Sequence, residues 1–413
     1  MSKWQQVKLG DYCEITSSKR IFYSDYVADG VPFFRSKEII ERQNGSDISE
    51  PLFISTEKYE SIKSQFGIPL VGDMLLTSVG TIGIAYIVKP DDYFYFKDGN
   101  LTWFRNFSPL LSSKYLYYWI TSQKGKGILY NSTIGSSQKA LTISALKKLI
   151  IPLPPIEVQR KIADVLSAYD DLIENNRKQI KLLEEAAQRL YKEWFIDLRF
   201  PGHETTKIIN GIPDGWVLKN FSDVFTYERG KSYSSSEIDN YAEVLLVNLK
   251  NIKAWGGYNR NAEKYFSGIF KPEQLLHRND IVMAVTDMTQ ERRLVGHVAL
   301  IPQLDMPAIF SMDLIRIIPK SLSVLFLYSV LAFGEYGTKI SLLANGTNVL
   351  HLKPDAMMSQ KILIPPSNIV EEYEKLFSAI RDKIEYLEMQ NSKSTEARDR
   401  LLPKLMNGEL EVK

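Results

Sequence analysis

Apolar residues recur every seven positions at Leu166, Ile173, Ile180, Ala187 and Trp194, and a second row, Ile162, Tyr169, Asn176, Leu183 and Leu190, accompanies them. Two such rows sustained over more than four heptads form the a/d seam of a coiled coil. The C-terminal stretch repeats the pattern with Phe377, Ile384, Asn391, Arg398 and Leu405 in one row and Tyr373, Ile380, Leu387, Ser394 and Leu401 in the other. This second seam is more polar. Asn176 and Asn391 at seam positions cost stability but can fix register, whereas Arg398 and Ser394 read equally well as a solvated fray. The remaining chain shows short apolar runs broken by glycine, such as Gly72-Asp73-Met74-Leu75-Leu76 and residues 83–88, with a helical pattern over 114–122. Short strands with interspersed helices predict α+β globular domains.

Each seam is preceded by a proline pair, Pro154-Pro155 and Pro365-Pro366, lying 211 residues apart. The same shift places Gly135-Ser136-Ser137 on Gly346-Thr347-Asn348 and residues 101–105 on 312–316, and Trp4 and Asp11 meet Trp216 and Asp223 at a shift of 212. A tandem duplication explains this, each half being a globular domain followed by a long helix. The expected organisation is residues 1–151 and 201–361 as the two domains and 152–200 and 362–413 as the helices. Only a short connection separates the first helix from Trp216, so the second domain begins at that helix's far end. The second helix must then run back to bury its seam. Two globular domains separated by a pair of long antiparallel coiled-coil helices, with a pseudo-twofold internal repeat, is the predicted architecture. Proline fixes φ and pushes the preceding residue into an extended conformation, so each Pro-Pro ends a strand and permits a helix to start.

Bulk properties narrow the function by exclusion. At 413 residues with 44% apolar content, the chain is long enough for two cores. No apolar run approaches the roughly 20 residues needed to span a bilayer, so no membrane partner is expected. No signal peptide is expected either. The single cysteine, Cys13, excludes an internal disulfide and suits a cytoplasmic location. Net charge is +2, and the mild basic excess falls in the globular segments. The four histidines, His203, His277, His297 and His351, lack ligand spacing, so no metal site is expected. Residues 229–232 resemble the end of a phosphate loop, but Phe225 occupies the place of its first glycine. Amino-group methylation needs a polar acceptor before Pro-Pro and a ring after it, and here Leu153 and Ile364 precede while Ile156 and Ser367 follow. No catalytic residues and no cofactor in this chain are expected.

Polar, basic and glycine-containing loops recur at matched places in the two halves. In the first half they are 16–20, 34–38, 77–83 and 135–139, and in the second 228–236, 247–251, 286–293 and 345–351. Arginine and lysine contact phosphate or guanine, and asparagine or glutamine reads adenine. The candidate contacts to nucleic acid are therefore Lys19, Arg20, Arg35, Lys37, Thr77, Ser78, Thr81, Ser136, Ser137, Gln138 and Lys139 in the first half. In the second they are Lys231, Ser232, Tyr233, Asn248, Lys250, Arg292, Arg293, Asn345, Thr347 and Asn348. Any one of these also reads as a solvated loop residue. A further apolar set off the seams, Tyr191, Phe195, Leu198, Leu402 and Met406, reads as a docking surface for a partner protein or as packing against the adjoining domain.

Residues 151–202, "IPLPPIEVQRKIADVLSAYDDLIENNRKQIKLLEEAAQRLYKEWFIDLRFPG", together with "GDMLLTSVGTIG" (72–83) and "RDRLLPKLMNGELEV" (398–412), resemble the specificity subunit of type I restriction-modification enzymes. The resemblance covers essentially the whole chain. The second Pro-Pro lacks the Glu-x-Gln that follows the first as Glu157 and Gln159. The resemblance implies two target-recognition domains, each reading one half of a split, asymmetric site in double-stranded DNA, with the helices setting the gap; a rigid spacer between two readers predicts half-site centres about one helical turn apart. It implies two adenine methyltransferase subunits and ATP-dependent restriction and translocase subunits as partners, and S-adenosylmethionine, ATP and magnesium would belong to those partners. The rival expectation is a non-enzymatic coiled-coil adapter with two protein- or glycan-binding heads.

Overall fold

The structure, a computed structural model, describes residues 4–46, 48–135, 139–262 and 264–412. It divides into two compact units, residues 1–178 with 389–413, and residues 179–388. The long helices are therefore not bodies of their own, because each unit takes in the helical segments that pack on it.

In the first unit, a four-stranded antiparallel sheet runs in the order Glu14–Thr16, Leu101–Arg105, Met74–Thr77, Ala85–Ile87. The strand Met74–Thr77 is buried along its whole length, and its alternation serves two cores. Met74 and Leu76 pack with Tyr115, Leu116 and Trp119 of the helix Ser113–Thr121, while Leu75 packs on the opposite side with Phe34, Tyr86, Phe96 and Trp103. A second sheet is built around the parallel pair Val31–Phe34 and Tyr95–Phe96.

The second unit repeats the plan. Its antiparallel sheet runs Phe225–Arg229, Leu314–Pro319, Ile281–Ala284, Val298–Leu300. Ile281 and Met283 face one core and Val282 and Ala284 the other. The second sheet again holds a parallel pair, Leu245–Val247 with Ala308–Phe310.

The proline pairs act as the sequence predicts. The strand Ile150–Leu153 pairs antiparallel with Gln5–Lys8, Gln5 opposite Leu153, and the strand Lys361–Ile364 pairs in the same register with Val217–Asn220, Val217 opposite Ile364. Immediately after each Pro-Pro a long helix starts, Ile156–Tyr191 in one copy and Ser367–Met406 in the other. The first is shorter than the 152–200 expected and finishes in a π-helical turn, Lys192–Ile196.

No seam position is fully exposed. In the first unit the Asn176 amide donates to Asn391 Oδ1 at 2.9 Å and to Gln390 Oε1 at 2.8 Å, and Arg398 pairs with Asp170 at 2.5 Å. Advancing along one helix retreats along the other, so the two segments in this unit are antiparallel. The polar seam residues are mated across the interface, which removes the frayed reading of Arg398. Asp170 also accepts from the Tyr118 hydroxyl at 2.6 Å. This ties the globular part of the unit to its seam.

Gln159 shows what the Glu-x-Gln departure means. Fully buried, its amide donates to the carbonyls of Leu110 and Pro154, and its carbonyl accepts from Ser112 N–H. In the second copy Val370 stands at the matching position, and Glu374 instead accepts from Ser323 Oγ and Phe326 N–H of the helix Val324–Phe333.

Candidate nucleic-acid interface

The loops singled out in the sequence are drawn together within each unit by a shared backbone scaffold. In the first unit, Thr77 N–H donates to Ile84 O and Gly83 N–H donates to Thr77 O, both at 2.9 Å. In the second, Ala284 N–H donates to His297 O and Gly296 N–H to Ala284 O. Gly83 and Gly296 have φ of +86° and +82°, the left-handed region that glycine enters at no steric cost. The next residue makes the hub. Ser78 donates to Asn100 O and accepts from Leu141 N–H, and Val285 likewise donates to Asp313 O and accepts from Leu352 N–H. Lys97 N–H to Phe34 O is matched by Ser311 N–H to Val247 O. Between the matched ends, the first unit has only residues 79–82 and the second has 286–295.

The hub segments, residues 97–100 and 311–313, are what sequence reading missed. Both connect a parallel-pair strand to the next strand of the antiparallel sheet, Tyr95–Phe96 to Leu101–Arg105 and Ala308–Phe310 to Leu314–Pro319, and the matched Asn100 and Asp313 stand two residues out of step with the 211 shift. In the first unit, Lys19 N–H donates to the Tyr95 hydroxyl at 2.7 Å, Arg20 pairs with Asp98 at 2.8 Å, and Val79 bridges Ala140. Loops 16–20, 34–38, 77–83 and 139–140 therefore meet around residues 95–100. In the second unit, Lys231 N–H donates to Phe310 O, Gln290 Nε2 donates to Thr347 O at 2.8 Å, and Thr286 pairs with His351 across a short ladder.

The candidate contact residues then separate by burial. Lys19, Arg20, Lys37, Thr81, Lys139, Ser232, Lys250, Arg293, Asn345, Thr347 and Asn348 are exposed, with Lys231 and Tyr233 half-buried. Several of the cations are steadied without being neutralised: Lys19 lies 4.8 Å from the Phe66 ring centroid, Lys139 sits over Tyr130, and Lys231 is 5.8 Å from Phe266. Lys37 pairs with Glu50 at 3.1 Å, and Arg293 with Glu291 at 2.8 Å.

Five other candidates face inward and serve the scaffold. Thr77 and Ser78 are buried, Thr77 Oγ1 accepting from Ile84 N–H and Ser78 Oγ bonding Thr102 Oγ1 at 2.6 Å. Asn248 is buried and caps its own turn by accepting from Lys250 N–H. Arg35 is bound to the fully buried Glu38, whose carboxylate also accepts Arg35 N–H at 2.7 Å. Arg292 donates to the carbonyls of Ser341 and Ala344. Ser136, Ser137 and Gln138 lie outside the described residues.

The longer loop of the second unit is organised by Asp287, which is fully buried. Its carboxylate accepts from Thr289 N–H and Oγ1 and from Leu294 and Val295 N–H. Burial alone raises its pKa, but the hydrogen bonds from Leu294 and Thr289 outweigh that and hold it below the ordinary value.

The five residues read as a partner surface belong to cores. Tyr191 is buried, Phe195 and Leu198 pack against the same core of the second unit, and Tyr191 and Phe195 meet Tyr373 in edge-on ring contacts. Met406 is buried and Leu402 packs beside it in the first unit. Cys13 is free and buried, and burial pushes its thiol up to about 12, which leaves it unreactive. Among the described residues no cluster of three metal-ligating side chains occurs, and no helix is long and apolar enough to cross a membrane.

Comparison with known proteins agrees with this duplicated geometry. The chain is 30% identical over 367 residues to the type I restriction enzyme MjaIX specificity subunit of Methanocaldococcus jannaschii, covering 83% of this chain and 78% of that one. It is 25% identical over 313 residues to the MjaVIII specificity subunit of the same organism, covering 74% and 72%. Its fold is similar to the crystal structure of the type I restriction-modification system S subunit from M. genitalium, with a TM-score of 0.62 at 16% identity over 98% of this chain and 96% of that one. The family described as type I restriction modification DNA specificity domain matches residues 1–185 and 213–394. The chain therefore belongs to that family, with the domain present in two stretches.

Proposed function

We propose that this chain is the DNA-reading, non-catalytic subunit of a type I restriction-modification complex, each unit recognising one half of a bipartite, asymmetric target. The observation that carries the reading is the matched scaffold, which in both units gathers four sequence-distant loops and leaves exposed cations and amides on them. Phosphate contacts from Lys19, Arg20, Lys139, Lys231 and Lys250 would position the duplex, and exposed side chains such as Asn345 and Asn348 would read base edges. The two units differ in loop length and side chains, so their half-sites differ. The continuous long helices would fix the gap between half-sites.

Two methyltransferase subunits and the ATP-dependent restriction subunits would supply the chemistry, with S-adenosylmethionine, ATP and magnesium bound there. Leu153 and Ile364, at the ends of paired strands, offer no acceptor to an amino group being methylated. Titrating the full-length chain with duplex pools at rising salt tests the reading. Binding should weaken steeply as counterions reclaim the phosphates, and Lys19→Ala with Arg20→Ala should weaken recognition of the first half-site alone. An adapter for proteins or glycans would bind no duplex at any salt.

A further inference from the structure

Trp255 is the one tryptophan of six that stands largely in solvent. It is 59% exposed, whereas Trp103, Trp119, Trp194 and Trp216 are buried and Trp4 is half-buried. Its backbone is also unusual. With φ at +68°, a bulky residue occupies the left-handed region, where its Cβ crowds the following carbonyl.

The conformation is held from several sides. Trp255 N–H donates to Arg293 O at 2.8 Å, Gly257 N–H donates to Val298 O at 2.9 Å, and Lys253 N–H donates to Gly257 O at 2.9 Å. Ile252 bridges Tyr258 at the base of the turn. The indole stands edge-on to the His297 ring at 5.5 Å and 88°. His297 is itself buried and wedged against Gly337, where any Cβ would approach its Nδ1 to 2.4 Å. The turn therefore presents a large apolar ring on a rigid mount, beside the loop that carries Arg293 and a few residues after Lys250. Glycine at position 255 would satisfy this backbone better. A residue that is both strained and exposed stands against its local conformational preference without filling a core, which points to use rather than packing.

Resting on the reading of the second unit as a DNA reader, we propose that Trp255 is an apolar DNA contact that contributes to the specificity of the second half-site. Its flat face suits a base step or a thymine methyl, where polar groups of the neighbouring loops cannot serve. An exposed lysine such as Lys250 attracts the backbone of any sequence, whereas an indole rewards only the steps that admit it.

The test uses the full-length chain, duplexes carrying the modified site mapped in the host genome, and acrylamide as a neutral quencher. Emission from the exposed indole should be strongly quenched in the free protein, absent from Trp255→Phe, and shielded once the duplex binds. Trp255→Gly should keep or raise the thermal midpoint, because it relieves the left-handed strain, yet bind the site about tenfold more weakly. Its discrimination against substitutions in the second half-site should fall while that in the first is retained. Undiminished quenching in a complex whose formation anisotropy confirms would overturn the contact and leave the DNA-reading function standing. Unchanged binding by Trp255→Gly would overturn it equally, as would shielding produced by methyltransferase subunits without DNA. If anisotropy shows no duplex bound at any salt, the contact and the proposed function fall together.

Discussion

The two units share a backbone scaffold and differ in what hangs from it. Five backbone hydrogen bonds recur at matched positions, including both bonds at the hub residues Ser78 and Val285. Between the hub and the left-handed glycine that closes the loop, however, the first unit spends residues 79–82 and the second 286–295. The short loop needs no internal support. The long one is built around the buried Asp287 and held at its end by Arg292, whose guanidinium caps the carbonyls of Ser341 and Ala344. A duplicated domain can thus acquire a new reading surface by lengthening one loop, provided that a buried polar group organises the added backbone.

The sharpest way to break this comparison is to replace residues 286–295 with the first unit's 79–82. Because the closing bonds are matched, the second unit should still fold, but recognition of its half-site should fall toward non-specific binding, a loss of about 1,000-fold or more. Recognition of the first half-site should be unaffected. Competition anisotropy with duplexes altered in one half measures both.

Asp287→Ala comes next. It leaves buried N–H groups of the loop without an acceptor, which should cost about 2–4 kcal/mol, seen as a lower denaturant midpoint for the second unit. The pH dependence gives a separate check. A carboxylate held below its ordinary 3.8 in the folded state contributes stability that is fully present above that value and lost as pH falls through the lower folded one. Melts of Asp287→Asn should therefore lose less stability than the native chain on acidification through this range.

Gln159→Ala removes three hydrogen bonds from a fully buried side chain at the start of the first long helix, at a cost of about 2–3 kcal/mol. Val370→Ala at the matching place in the second copy removes only apolar contact and should cost clearly less. Chemical denaturation of the two variants compares them directly.

The smallest effect is expected at the polar seam. Asn176→Ala should cost about 1 kcal/mol by leaving Asn391 without its donor, whereas Asn176→Leu with Asn391→Leu should be neutral or stabilising in melts.

The sequence makes the architecture legible because it is periodic at two scales. The heptads place the helices, and the shift of 211 places the two domains and the paired strands that end at Pro-Pro. The site is only half legible. Lys19, Lys250, Asn345 and Asn348 stand where their polarity suggests, but Thr77, Ser78 and Asn248 have the same composition and serve the backbone. Nothing local separates a hydroxyl that reads a ligand from one that serves the scaffold; the difference lies in partners far along the chain, as where Ser78 Oγ bonds Thr102 Oγ1. Arg292 misleads for a similar reason, since its partners Ser341 and Ala344 are set by tertiary packing, whereas Arg35 is taken up locally by Glu38, which caps the start of the helix Ser36–Gln43. Trp255 carries a sequence cue in the two glycines that follow it, yet its left-handed backbone and exposure appear only in the fold.

The most direct measurement is to map methylated adenines in host genomes carrying the native gene or the gene with residues 286–295 replaced by 79–82. The account predicts that one half of the modified motif is preserved with its gap while the other half changes or is lost. A motif altered in both halves, or in neither, would contradict the assignment of one half-site to each unit.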